Sequence, residues 1–69
     1  MDWIPLDSSS LSRIRYDKNS EILVIEFHGG RKHQYFDVPI QAFEGLKNAD
    51  SYGKYFNEHI KGNYRYARA

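Results

Sequence analysis

The sequence predicts an α+β fold, a three-stranded antiparallel β-meander with two α-helices packed on one face, in the order β-β-β-α-α. Three observations carry that prediction. Leu23, Ile25 and Phe27 alternate with outward positions in a run rich in β-branched residues, the signature of a half-buried strand. Gly29-Gly30 follows at once, and glycine pairs supply the positive φ that a hairpin turn demands. After Val38-Pro39 the period changes: Ile40, Phe43 and Leu46, then Tyr52, Tyr55, Phe56, His59 and Ile60, recur at helical spacing.

Residues 1–10 show no periodicity and end in Asp7-Ser8-Ser9-Ser10, a polar leader that is loosely held unless Trp3 or Leu6 docks on the body. Trp3 is expected to anchor, because a small domain gains more by burying an indole than by leaving it wet. From Leu11 to Tyr16, Ile14 and Tyr16 share one face and Arg13 and Arg15 the other, which gives a first strand. Asp17-Lys18-Asn19-Ser20 is a turn by composition, so the first two strands are antiparallel neighbours.

The second hairpin has two possible registers. A two-residue loop pairs Leu23 with Phe36 and Val24 with Tyr35, which sends Tyr35 away from the Leu-Ile-Phe face. A loop with one more unpaired residue pairs Ile25 with Tyr35 and Phe27 with His33. The longer loop is favoured, since otherwise Lys32 and Gln34 share the apolar face while an aromatic ring is spent on the wetter one.

Pro39 suits the first helical position, and Asp37 ahead of it favours the positive end of the helix dipole. Gly45 is costly inside a helix, by about 1 kcal/mol against alanine, so a close approach is expected there. Asp50 or Ser51 caps the second helix, which runs to about Lys61 and stops at Gly62. The domain proper is thus 11–63, and 64–69 is a basic-aromatic tail. The core is expected at Leu23, Ile25, Phe27, Phe43, Leu46, Phe56 and Ile60.

Composition narrows the function. At 69 residues the chain is one domain, burying only about 60% of its unfolded surface. Without cysteine it has neither a disulfide framework nor a thiolate zinc site. Acidic and proline residues stand where a signal peptide needs basic ones, and no apolar run reaches membrane-spanning length, so a cytoplasmic protein that does not engage a membrane is expected. Net charge is +1, but Lys61, Arg65 and Arg68 gather at the end of the chain with no acid among them, whereas Asp2 and Asp7 are the only charges of the first ten residues.

The order of motifs resembles a known family. A Leu-x-Ile-x-Phe strand, a glycine turn, a third strand centred on Tyr35 and ending in Val38-Pro39, then Gly53-Lys54-Tyr55-Phe56-Asn57 and Ile60-Lys61-Gly62-x-Tyr64 are similar to the KTSC domain. That small domain is named for its occurrence at the C-terminus of some lysyl-tRNA synthetases and also occurs alone in bacterial proteins. The resemblance covers roughly Ser8 to Tyr66. The family's Tyr-x-Tyr appears here as His33-Gln34-Tyr35, so Tyr35 alone carries over. RNA binding is what the synthetase association implies, by analogy.

The residues themselves offer two binding readings. Aromatics interleave with cations in Arg31-Lys32-His33-Gln34-Tyr35-Phe36 and again in Lys61 to Arg68. Exposed aromatic faces stack on unpaired bases while Lys and Arg neutralise phosphates. Tyr64, Arg65, Tyr66, Arg68 and Lys61, with Arg31 and Lys32, are the candidate RNA contacts; Tyr35, Phe36, Tyr55 and Phe56 are read as packing residues. The alternative is a protein partner or a second copy of the chain on the open sheet face, through Ile22 and Val24. An enzyme is not expected. Ser8-Ser9-Ser10 has no positioned base, Gly29-Gly30 leads into a strand and not a helix, and His28, His33 and His59, even with Glu26 or Asp37, lack a metal-binding spacing. No cofactor or metal is expected.

Overall fold

The computed structural model describes residues 3–69; Met1 and Asp2, part of the expected leader, lie outside them. Its elements are β1 (Ile4–Pro5), β2 (Leu11–Asp17), β3 (Ile22–Phe27), β4 (Lys32–Tyr35), α1 (Ile40–Lys47), α2 (Tyr52–Tyr55) running on into a π-helical turn at Phe56–Ile60, and β5 (Tyr66–Arg68). The α+β class and the two helical segments are as expected, but the sheet has five strands instead of three, in the order β1-β2-β3-β4-β5. All neighbours are antiparallel.

Both extra strands come from segments expected to lie outside the domain. Ile4 pairs with Ile14 and Pro5 with Arg13. Leu6 is buried, its N–H donating to Ser12 O at 3.0 Å, and Trp3 lies 4.3 Å under the Arg13 guanidinium. At the other end Tyr66, Ala67 and Arg68 pair with Tyr35, Gln34 and His33. Strands this short carry no periodicity of their own; the β2 and β4 edges call them in by offering unpaired backbone groups.

The hairpin register is neither of the two expected. Leu23 pairs with Tyr35 and Ile25 with His33, around a three-residue His28-Gly29-Gly30 loop closed by Phe27 N–H to Arg31 O at 2.8 Å. Both glycines sit at positive φ, 100° and 95°. Because three unpaired residues preserve parity, Tyr35 still joins the Leu23-Ile25 face, as the longer loop required. In β2, a bulge between Leu11 and Arg13 lets Leu11 point inward along with Ile14 and Tyr16, which simple alternation forbids.

The helices cover that face. Leu23, Ile25, Phe43, Leu46, Phe56 and Ile60 are core as expected, joined by Leu11, Ile14, Tyr16, Tyr35 and Val38, while Phe27 is half-buried. Asp37 takes positive φ, 57°, and turns the chain from β4 toward α1. Pro39 stands at the N-cap position, one residue before the first helical position expected for it, and makes no side-chain cap; Ile40, expected in the apolar stripe, is 41% exposed. At Gly45 the close approach is made by a side chain: a Cβ there falls 2.6 Å from Tyr55 Cζ. Ser51 caps α2, its hydroxyl accepting from Lys54 N–H at 3.3 Å.

Candidate nucleic-acid interface

The π turn is the local feature that opens a site. Lys61 N–H reaches back five residues to Phe56 O at 2.8 Å, and Gly62, at φ 83°, reverses the chain so that β5 can return along β4. Wide turns of this kind recur at functional positions. Between the π turn and the β4-β5 ribbon lies a groove of about 190 Å³, lined by Phe27, Arg31, His33, Tyr35, Phe56, Lys61, Gly62 and Tyr66.

Its floor is a herringbone of rings. Phe56 meets Phe27 edge-on at 5.5 Å and Tyr35 at 5.8 Å, and His33 meets Phe27 at 5.2 Å. Tyr66 lies tilted over this floor, 4.9 Å from His33 and 5.4 Å from Tyr35, with 57% of its surface exposed. One side of its ring is supported by aromatics, leaving the ring open to a visitor.

The cations sort into two groups. Among the described residues Arg31, Lys61 and Arg68 form no ion pair and are exposed, whereas Lys32 pairs with Glu26 at 3.9 Å and Arg65 with Asp37 at 3.4 Å. Arg31 and Lys61 line the groove. Arg31 also borders a second cleft, shared with Gly30, Lys32, His33, Arg68 and Ala69. Of the residues expected from sequence, the structure brings Arg31, Lys61 and Tyr66 to one groove and Arg68 and Lys32 to its neighbour. Tyr64 is half-buried against the core, and Arg65 packs over Phe36. The sequence reading assigned no site role to Phe27, His33, Tyr35 or Phe56, which contribute to the groove while also packing. Two signals mark this strand in the sequence, the interleaving of aromatics with cations over residues 31–36 and a family pattern centred on Tyr35, and neither separates stacking rings from packing ones.

The protein environment tunes two groups here. Burial pushes the Tyr35 hydroxyl up to about 12, with Tyr66 beside it adding to the effect, so it stays protonated. His33 is held below the ordinary imidazole range, first by burial and then by Arg31 and Arg68, and its Nδ1 is the one buried side-chain N or O without a hydrogen-bond partner among the described residues.

A folded-state pKa below the unfolded value means the unfolded chain takes up the proton first as pH falls. The His33 contribution is therefore complete above the unfolded pKa, about 6.5, and declines as pH drops through that value toward the folded one. His33→Phe should raise stability at pH 7 by about 1 kcal/mol, since an unpartnered buried nitrogen is replaced by an apolar ring. The gain should widen at pH 5.5. Urea titrations at the two pH values test this; a variant no more stable than the parent at either would show that the nitrogen is no burden.

The other histidines are engaged elsewhere. His28 Nε2 lies 2.7 Å from Ser8 O, and His59 packs on Tyr55 at 4.5 Å. Among the described residues no three His, Asp or Glu side chains converge as a metal-holding group, and no helix is long and apolar enough to cross a membrane.

This arrangement, a meander extended to five strands and roofed on one face by a helix and a π-turned helix, is that of a known class. The chain belongs to the KTSC domain family, whose model matches residues 7–64. A KTSC domain protein from Yersinia pestis has the same fold, with a TM-score of 0.93 at 32% identity, over 99% of this chain and 96% of that one. An uncharacterized protein from Stutzerimonas stutzeri is 41% identical over 69 residues, 99% of this chain and 97% of its own length. A lysine-tRNA ligase from Trichormus variabilis is 38% identical over 60 residues, 87% of this chain, but the match spans only 11% of the ligase.

Proposed function

We propose that this KTSC domain is a non-catalytic module that binds single-stranded RNA through the groove and its neighbouring cleft, with Tyr66, Arg31, Lys61 and Arg68 as its contacts. One observation carries the reading: an exposed tyrosine ring, backed by an aromatic floor, stands beside cations that form no ion pair among the described residues. Unpaired bases bind proteins by stacking on such rings, and the phosphates between them seek such cations. Lys32 and Arg65, already paired to Glu26 and Asp37, and Tyr64, packed against the core, act as framework. The presence of a similar segment in a protein named for a tRNA supports the same direction.

The alternative, an apolar docking face, draws less support. The large hydrophobics exposed among the described residues are Ile40 and Tyr66. On the open sheet face Ile22 and Val24 are half-buried, and the Arg13-Glu26-Lys32 ion pairs occupy the neighbouring positions.

Fluorescence anisotropy with a short unstructured RNA tests the proposal. Affinity should fall steeply between about 50 and 200 mM salt, and Arg31→Ala or Lys61→Ala should each flatten the log-log slope by about 0.7. Binding that is indifferent to salt, or to both substitutions, would refute it.

A further inference from the structure

The groove and the second cleft share a wall made of Arg31 and His33. On one side of that wall are rings: Phe27, Tyr35, Phe56 and Tyr66. On the other are the cations Lys32 and Arg68, beside Gly30 and Ala69. A ligand that fills both must carry a planar apolar part and an anionic part separated by a short, bent spacer. A nucleotide has that chemistry.

Resting on the RNA-binding reading, we propose that the site is built for one nucleotide: a single unpaired nucleobase enters the groove against Tyr66, and its own phosphate lies in the adjoining cleft against Arg31 and Arg68. Size supports the limit to one base. The groove, at about 190 Å³, falls below the range of pockets that take drug-sized ligands, roughly 300–1,000 Å³. A second stacked base would find no second exposed ring, since Tyr64 is half-buried and Phe36 lies under the Arg65 guanidinium.

The surroundings also favour a base over an aliphatic visitor. Tyr66 is inclined by 30° to Tyr35 and 34° to His33 and keeps 57% of its surface exposed, so its ring offers a planar visitor a free surface beside the aromatic floor. Arg31, 5.7 Å from the Phe27 centroid, sits between the aromatic floor and the cationic cleft, where it can meet a base plane or a phosphate. The π turn sets Phe56 at the inner end of the groove and Lys61 at its rim.

Amide-detected NMR titration of the full chain with adenosine 5′-monophosphate, uridine 5′-monophosphate and inorganic phosphate separates the possibilities. At least one mononucleotide should shift residues on both sides of the shared wall, including Phe27, Gly62, Tyr66 and Arg68, whereas phosphate alone should move only Gly30, Arg31, Lys32 and Arg68. Tyr66→Ala should weaken the mononucleotide about tenfold, and Tyr66→Phe should restore it. If short RNA binds but the mononucleotides do not, or if Tyr66→Ala binds them as well as the parent, the one-nucleotide site is wrong while RNA binding stands. If neither RNA nor mononucleotide binds, both readings fall.

Discussion

Leu23→Ala is expected to cost about 2–5 kcal/mol, the range for removing a fully buried leucine from a core that collapses only in part. Leu23 has no exposed surface, occupies the central strand, and pairs with Tyr16 on one side and Tyr35 on the other, so its side chain lies between two rings. A chain of this length commands only about 3–10 kcal/mol in total. The substitution should therefore lower Tm by roughly 8–40 °C at 4–8 °C per kcal/mol, and at the upper end it leaves the domain largely unfolded at 37 °C. Val24→Ala, one residue on but facing the open side, should cost well under half as much. Thermal denaturation of the two variants side by side checks the face assignment, and equal losses would overturn it.

Tyr16→Phe should cost about 1–3 kcal/mol even though it removes a single oxygen. The Tyr16 hydroxyl donates to Val38 O at 2.6 Å inside the core, across 22 residues of chain. Burial raises the pKa of that hydroxyl, with Glu21 and Asp17 adding to the effect, so the donor proton is retained. The ring itself, stacked on Phe43 at 4.6 Å and 10°, stays in place in the variant, and the loss is that of a buried carbonyl left unsatisfied. Denaturant titration measures it. A variant as stable as the parent would mean that the Val38 carbonyl finds another partner.

Much of this architecture could be read directly. Ile14, Tyr16, Leu23 and Ile25 announced the strands by alternation, Gly29-Gly30 the reversal, and Phe43, Leu46, Phe56 and Ile60 the helical roof. The errors fell where local pattern is silent. Leu11 needed a bulge to point inward, and Ile4–Pro5 and Tyr66–Arg68 are too short to show a period. At the site, charge and aromatic content picked out Arg31, Lys61, Tyr66 and Arg68. They equally picked out Lys32, Arg65 and Tyr64, because nothing local says that Glu26 and Asp37 already hold two of these cations or that the core takes the tyrosine.

By its residues alone this chain settles an antiparallel sheet with helices on one face, and it settles which side of each long strand turns inward, because those follow from side-chain periodicity over neighbouring positions. Tertiary structure alone decided that β5 folds back beside β4, that the π turn leaves a groove between them, and which cations remain unpaired at its rim. Those outcomes depend on edges meeting across more than thirty residues of chain, from Tyr35 to Tyr66. Backbone hydrogen bonding at an open edge selects its partner by proximity in space, a quantity no short window of sequence contains.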